Sequence, residues 1–261
     1  VEKTKMSNLS DIGFPVKSEQ DVNEVIMNIL NHLKSMPCPP RGYYFKFEDE
    51  SGAEIYLQTN PAQEIMGFNP AFTGKSSRKV GLTKLIERDT SELDGAFQAW
   101  AGPSGEGVEV TGEYPFVFDV PDFRRHDRID LPHIVDIQLV AFASNDFELF
   151  TDEDEFNAAE EAGQKFAKQS FIPSGLFSVG TDGNMTEIDP PQAHGILTGE
   201  IQEFELRTNK FTGENFYWFL VEGYGGDIDV VADTGLIKKE PKVGGIIRGS
   251  FWLSGKLSEN G

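Results

Sequence analysis

The sequence predicts an α+β fold dominated by strands: an N-terminal βαβββ unit extended by further antiparallel strands, followed by a C-terminal small β-barrel. Three observations predict it. Val22, Val25, Ile26, Ile29, Leu30 and Leu33 recur at helical spacing near the start of the chain. Between 43 and 143 come short runs rich in aromatic and β-branched residues, punctuated by turn residues. From Ala193 onward the apolar runs carry glycines inside or beside them (Gly199, Gly223, Gly249, Gly255), which mark bulges and sharp bends in small barrels.

The N-terminal unit spans residues 10–72. Asp11-Ile12-Gly13-Phe14-Pro15-Val16 reads as a short buried strand with Pro15 near its end. Ser18 reads as a helix N-cap with Asp21 in the capping-box position, and Pro37, Pro39 and Pro40 require the helix to stop by Met36. Tyr43–Glu48 and Ala53–Gln58 form a hairpin through Asp49-Glu50-Ser51-Gly52, and Glu64–Phe68 is a shorter strand that ends at the breaker Asn69-Pro70. Four strands follow, Lys79–Glu87, Ala96–Ala101, Val108–Val120 and Ile134–Ala143, with an exposed charged loop over 119–132.

Asp146–Glu161 holds eight acids and no base: Asp146, Glu148, Asp152, Glu153, Asp154, Glu155, Glu160 and Glu161. Thr151 reads as an N-cap with Asp154 at N3, and the acids of the first turn suit the positive end of the helix dipole. Phe156, Ala159, Gly163 and Phe166 fall on one face, and Pro173-Ser174-Gly175 ends the helix. Thr181–Gln192 reads as a linker. It divides the chain into an α+β domain over 6–180 and a β-rich module over 193–258, with strands at Ala193–Thr208, Asn215–Glu222, Asp227–Ala232 and Gly245–Leu257.

Charge and composition exclude several functions. Lys plus Arg number 23 and Asp plus Glu 43, a net charge of −20. Readers of nucleic acid and of anionic lipid need a basic footprint, so neither direct nucleic-acid binding nor membrane docking is expected. Val1–Ser10 has two Lys with no apolar run after it, which predicts no secretory signal, and no apolar run reaches the length of a membrane span. One Cys precludes an intrachain disulfide. The expected compartment is the cytoplasm.

Catalytic and cofactor signatures are sparse. The four His (His32, His126, His133 and His194) include no i,i+4 helical pair and no HExxH, so no metal site and no cofactor are predicted from them. Cys38 sits among prolines, without the following helix that lowers a thiol pKa, and reads as an inert thiol. There is no GxSxG elbow, no Walker A and no GxGxxG. Phe216-Tyr217-Trp218-Phe219 puts aromatics on both faces of a strand. That suits a strand buried between layers, or a stacking platform for bases or sugars, and the acidity of the chain weighs against bases.

Two stretches carry a resemblance. Asp11-Ile12-Gly13-Phe14-Pro15-Val16 before a helix, and Gly52-Ala53-Glu54-Ile55-Tyr56-Leu57 after a strand, resemble half of a vicinal-oxygen-chelate (glyoxalase/bleomycin-resistance) fold. That family builds sheets from paired βαβββ modules. Enzymatic members commonly open the first strand with a His, where this sequence has Asp11, and no second βαβββ follows. The resemblance implies an oxygen-ligand site at Asp11 and Glu54. The C-terminal module resembles an OB-type small barrel in strand order and glycine placement.

Two functions follow as expectations. The first is a non-catalytic intracellular binding protein, an inhibitor or immunity-type factor, using its acidic surface, with the carboxylates of 146–161 foremost, against a basic protein partner. The alternative is a metal-dependent or small-molecule-binding protein of the vicinal-oxygen-chelate type, acting through Asp11 and Glu54.

Overall fold

A computed structural model describes residues 8–89, 91–105, 110–161, 166–179 and 184–258. Over these residues the chain is a sheet-rich α+β protein with two α-helices and sixteen strands. None of the helices is long and apolar enough to cross a membrane.

Helix α1 (Glu19–Ile29) starts where the sequence places it, with the Ser18 hydroxyl accepting from Asp21 N. The segment before it is not a strand. Ser10–Ile12 is a 3-10 helix, and Gly13 follows at φ +79°, a left-handed conformation that ends it. Side chains fix this shape: Asp11 is fully buried and accepts from Asp233 N at 3.0 Å, and Asn209 Nδ2 donates to Ile12 O at 2.9 Å. Apolarity alone did not reveal these long-range partners.

The helix leads into a four-stranded antiparallel sheet in the order β1 (Lys34–Cys38), β2 (Gly42–Glu48), β3 (Ala53–Thr59) and β4 (Ile65–Phe72). β1 is unexpected because it contains Pro37, and β4 runs straight through Asn69-Pro70. Both are edge strands, where the missing proline N–H can face away from the neighbouring strand.

The second sheet holds β5 (Arg78–Glu87), β6 (Gly95–Ala101), β7 (Tyr114–Asp119), β8 (His133–Ala143), β9 (Glu148–Phe150), β10 (Ser170–Ile172), β13 (His194–Thr208), β14 (Asn215–Gly223), β15 (Gly226–Asp233) and β16 (Ile246–Leu257). Helix α2 (Glu153–Glu161) follows β9, and β11 (Phe177–Val179) and β12 (Met185–Glu187) form a separate hairpin. Part of the expected linker is therefore strand, and the expected helix ends before Ser170–Ile172 joins the large sheet. Residues 108–109 of the strand expected at Val108–Val120 lie outside the described residues, as do Gly163 and residues 181–183 of the expected linker.

Strand pairing closes this sheet twice. The meander β13-β14-β15 meets β8 through the parallel pairs Asp229↔Val140 to Val231↔Phe142. β8 pairs antiparallel with β16, and β16 with β13, completing a five-stranded ring. The meander β5-β6-β7 makes a second ring with the same two strands: β5 pairs antiparallel with β8, and β7 touches β16 through the parallel pair Ser254↔Asp119. Trp252 Nε1 donates to Asp119 at 2.6 Å and fastens that last contact. The two meanders also share a detail. β5 is bulged against β6 between Leu82 and Lys84, and β13 is bulged against β14 between Ile201 and Glu203. Strands from 78–150 and from 194–257 thus belong to one hydrogen-bonded system.

One continuous core fills the rings, with Val80, Phe97, Phe118, Leu139, Phe219, Val230, Phe251 and Leu253 among its members. The four-stranded sheet packs on the outside of β14, β15 and β8, where Phe14, Phe47, Ile55 and Phe72 meet Phe216, Trp218, Val231 and Phe142. Phe216, Trp218 and Phe219 are buried, so the aromatic strand is core between two layers.

Candidate functional site

The acidic segment begins where β8 ends. Ser144 N donates to Ser250 O at 3.0 Å, and β9 then continues alongside β16. Asp146 turns back onto the same strand and accepts from Ser250 N at 3.1 Å and from its hydroxyl at 2.6 Å. Glu148 accepts from Nε and Nη2 of Arg248 at 2.9 and 2.6 Å. That guanidinium lies 5.2 Å from the Phe150 ring and 5.4 Å from the Phe166 ring.

Helix α2 is capped by Asp152 rather than Thr151. Asp152 Oδ1 accepts from Glu155 N at 2.9 Å. Glu155 reaches back to Thr151, accepting from its N at 2.7 Å and its hydroxyl at 3.0 Å, and also pairs with Lys239. The Lys239 hydrogen bond, helped by Thr151 N, holds the Glu155 carboxyl at about 2. Glu153 pairs with Lys168 at 3.1 Å, and Lys168 also meets Glu200 at 2.7 Å. Asp154 is exposed, and the side chains of Glu160 and Glu161 lie outside the described set. Phe156 anchors the helix edge-on against Phe150 at 5.3 Å.

The structure thus gathers Asp146, Glu148, Asp152, Glu153, Asp154 and Glu155 on β9, its approach and α2, and supplies cations to three of them. Sequence reading missed Arg248, Lys239 and Lys168. Arg248 and Lys239 lie roughly eighty to a hundred residues beyond their acids in the chain, so local spacing gives no sign of them. Register shows the arrangement: Ser170, Thr198, Arg248 and Glu148 form one row across β10, β13, β16 and β9. Beside that row Asp146, Glu148 and Arg248 line a cleft of about 540 Å³ with Phe166, Ile196 and Lys238. The hydroxyls of Ser170 and Thr198 are buried without a hydrogen-bond partner among the described residues.

The other predicted pair is kept apart. Ile12 and Phe14, which follow Asp11, pack on the Phe47–Ile55 face of the four-stranded sheet. Glu54 projects from the opposite face by strand alternation. Its carboxylate accepts from the Thr73 hydroxyl at 2.6 Å and pairs with Lys46 at 3.0 Å and with Lys256. Two ammonium groups already neutralise it, so a cation would have to displace them. Burial pushes the Lys256 ammonium pKa down, against the pull of Glu54.

Elsewhere His126 Nε2 sits 3.3 Å from Asp122, and burial lowers the His194 pKa. Cys38 is buried, and burial raises its thiol pKa. Among the described residues no three His, Cys, Asp or Glu side chains are grouped to hold a metal ion. Comparison with protein-family models, with curated proteins and with solved structures finds no match to the chain.

Proposed function

We propose that the protein is a non-catalytic cytoplasmic binding factor, of inhibitor or immunity type, whose acidic surface takes up a basic protein partner. The observation that carries this reading is where the charge lies. Among the described residues only Asp11, Glu54, Asp229 and Arg78 are buried charged side chains, a net of −2 against −20 for the chain. A field of that sign steers a basic partner inward and raises the encounter rate. Asp146, Glu148, Asp152, Glu153, Asp154, Glu155, Glu160 and Glu161 form the contact surface in this reading.

The internal pairs of that segment do not remove it from use. Lys239 and Lys168 keep 45% and 38% of their side chains exposed, and exposed pairs are worth only about 0–1 kcal/mol. A partner's Lys or Arg can replace them at small cost. The ring β13-β14-β15-β8-β16 supports an OB-type barrel as the scaffold, with its fifth strand supplied from upstream. The vicinal-oxygen-chelate alternative requires Glu54 to be released from Lys46 and Lys256, and Asp11 from Asp233 N. The test is affinity capture on the immobilised protein from its native lysate at low ionic strength. A basic protein that elutes on raising the salt supports the reading, and recovery of no basic protein refutes it.

A further inference from the structure

We propose that the partner is held through an extended segment bearing Lys or Arg, laid along a groove formed by two clefts that meet at Asn145. The inference rests on the acidic-binding reading and gives it a location. The first cleft is the one beside Asp146 and Glu148. The second, of about 510 Å³, lies between the Phe14–Lys17 stretch and the Thr234–Leu236 turn, and Asn145 lines both. Each has the volume of a small-ligand site and admits one or two side chains, as alternate residues of an extended segment would present them.

The walls of the second cleft are held before any partner arrives. Thr212 Oγ1 donates to Gly13 O at 2.6 Å, and Asn209 Nδ2 donates to the preceding carbonyl. Asp233 Oδ1 accepts from Gly235 N at 2.6 Å and fixes the turn opposite. A site built this way loses little conformational freedom on binding.

Charge selects the occupant. Glu214 and Asp233 stand on the second cleft and have no ion-pair partner among the described residues, with Lys17 the cation beside them. In the first cleft Asp146 and Glu148 balance Lys238 and Arg248. The groove is therefore net acidic and sits on a surface of the same sign. A second copy of this chain would bring another −20 and is repelled, whereas a basic segment is attracted. The apolar parts of Phe166, Ile196, Pro15 and Leu236 give the stems of long cationic side chains a surface to lie on.

The experiment uses a labelled peptide of alternating arginine and leucine, titrated by fluorescence anisotropy against the full chain. Two variants change the net charge equally. Glu214→Lys alters the groove. Glu64→Lys lies in the β3–β4 turn, at the far end of β3 from the Ser51 hairpin that meets Arg207. The expected result is a loss of about tenfold in affinity for Glu214→Lys and less than about twofold for Glu64→Lys. Peptide-induced amide protection should appear at residues 13–17, 144–146 and 234–236. Equal losses in the two variants, with no protection there, overturn the groove while leaving the acidic surface standing. Failure of the unmodified protein to bind the peptide at low salt overturns both.

Discussion

The indole Nε1–H of Trp218 donates to the buried carboxylate of Asp229 over 2.8 Å. The same carboxylate accepts from Lys75 N at 2.9 Å, Ser76 N at 3.0 Å and Gln138 Nε2 at 2.8 Å. One acid thus joins β14, β15, β8 and the link from the four-stranded sheet. Asp229→Asn turns an amide N–H group toward donors that need an acceptor and should cost about 3 kcal/mol in urea unfolding. Gly74→Ala should also destabilise, by about 1–3 kcal/mol, because a Cβ there would meet the Asp229 carboxylate at 2.1 Å. Losses under about 0.5 kcal/mol in both variants would show that the carboxylate does not clamp the two sheets.

Arg207 bridges the same two layers. Its guanidinium lies 4.3 Å over the Trp218 ring, and Nη1 donates to Ser51 O at 2.9 Å. Arg207→Lys keeps the charge and loses the planar fork, so it should still cost about 1 kcal/mol. A double-mutant cycle with Trp218→Phe should return a coupling of about 0.5–1 kcal/mol, and additive losses would argue against the stacking.

The cap assignment at α2 makes a local prediction. Asp152→Ala removes the side chain that holds Glu155 N and should cost about 1 kcal/mol, seen as faster amide exchange over Glu153–Glu161. Thr151→Ala leaves that bond in place and should cost less. The reverse ranking would restore Thr151 as the cap.

Acid should weaken the fold through two surface carboxyls. Hydrogen bonds from Lys34 and Lys46 hold Glu48 at about 2, and Lys239 does the same for Glu155, against an ordinary value of 4.5. Between those values the unfolded chain binds more protons, so the stabilisation is complete above the ordinary value and is lost as pH falls toward about 2. Both pairs are largely exposed, so the thermal midpoint should drop only slightly over that window, and Lys239→Met should shrink the drop. An identical acid profile in that variant would contradict the assignment.

The sequence revealed those elements whose cause is local. α1 follows its apolar period and its Ser18 cap, and β14 shows itself by aromatics on both faces, because each depends on near neighbours. Asp11–Val16 misled because its apolar content suits a strand, while its shape is set by Asp233 and Asn209, roughly two hundred residues away. Pro37 and Pro70 read as breakers, since edge position is a property of the finished sheet. The acids of 146–161 were visible by composition. Arg248, Lys239 and Lys168 were not, because only strand register and folding bring them alongside.

The most direct measurement is stopped-flow association of the captured basic partner with this protein, from about 20 to about 300 mM salt, where screening grows several-fold. The rate constant should fall at least about tenfold across that range, with a flatter dependence once Asp152, Glu153 and Asp154 are neutralised together. A rate indifferent to salt, or unchanged by that triple substitution, would contradict the acidic-binding reading.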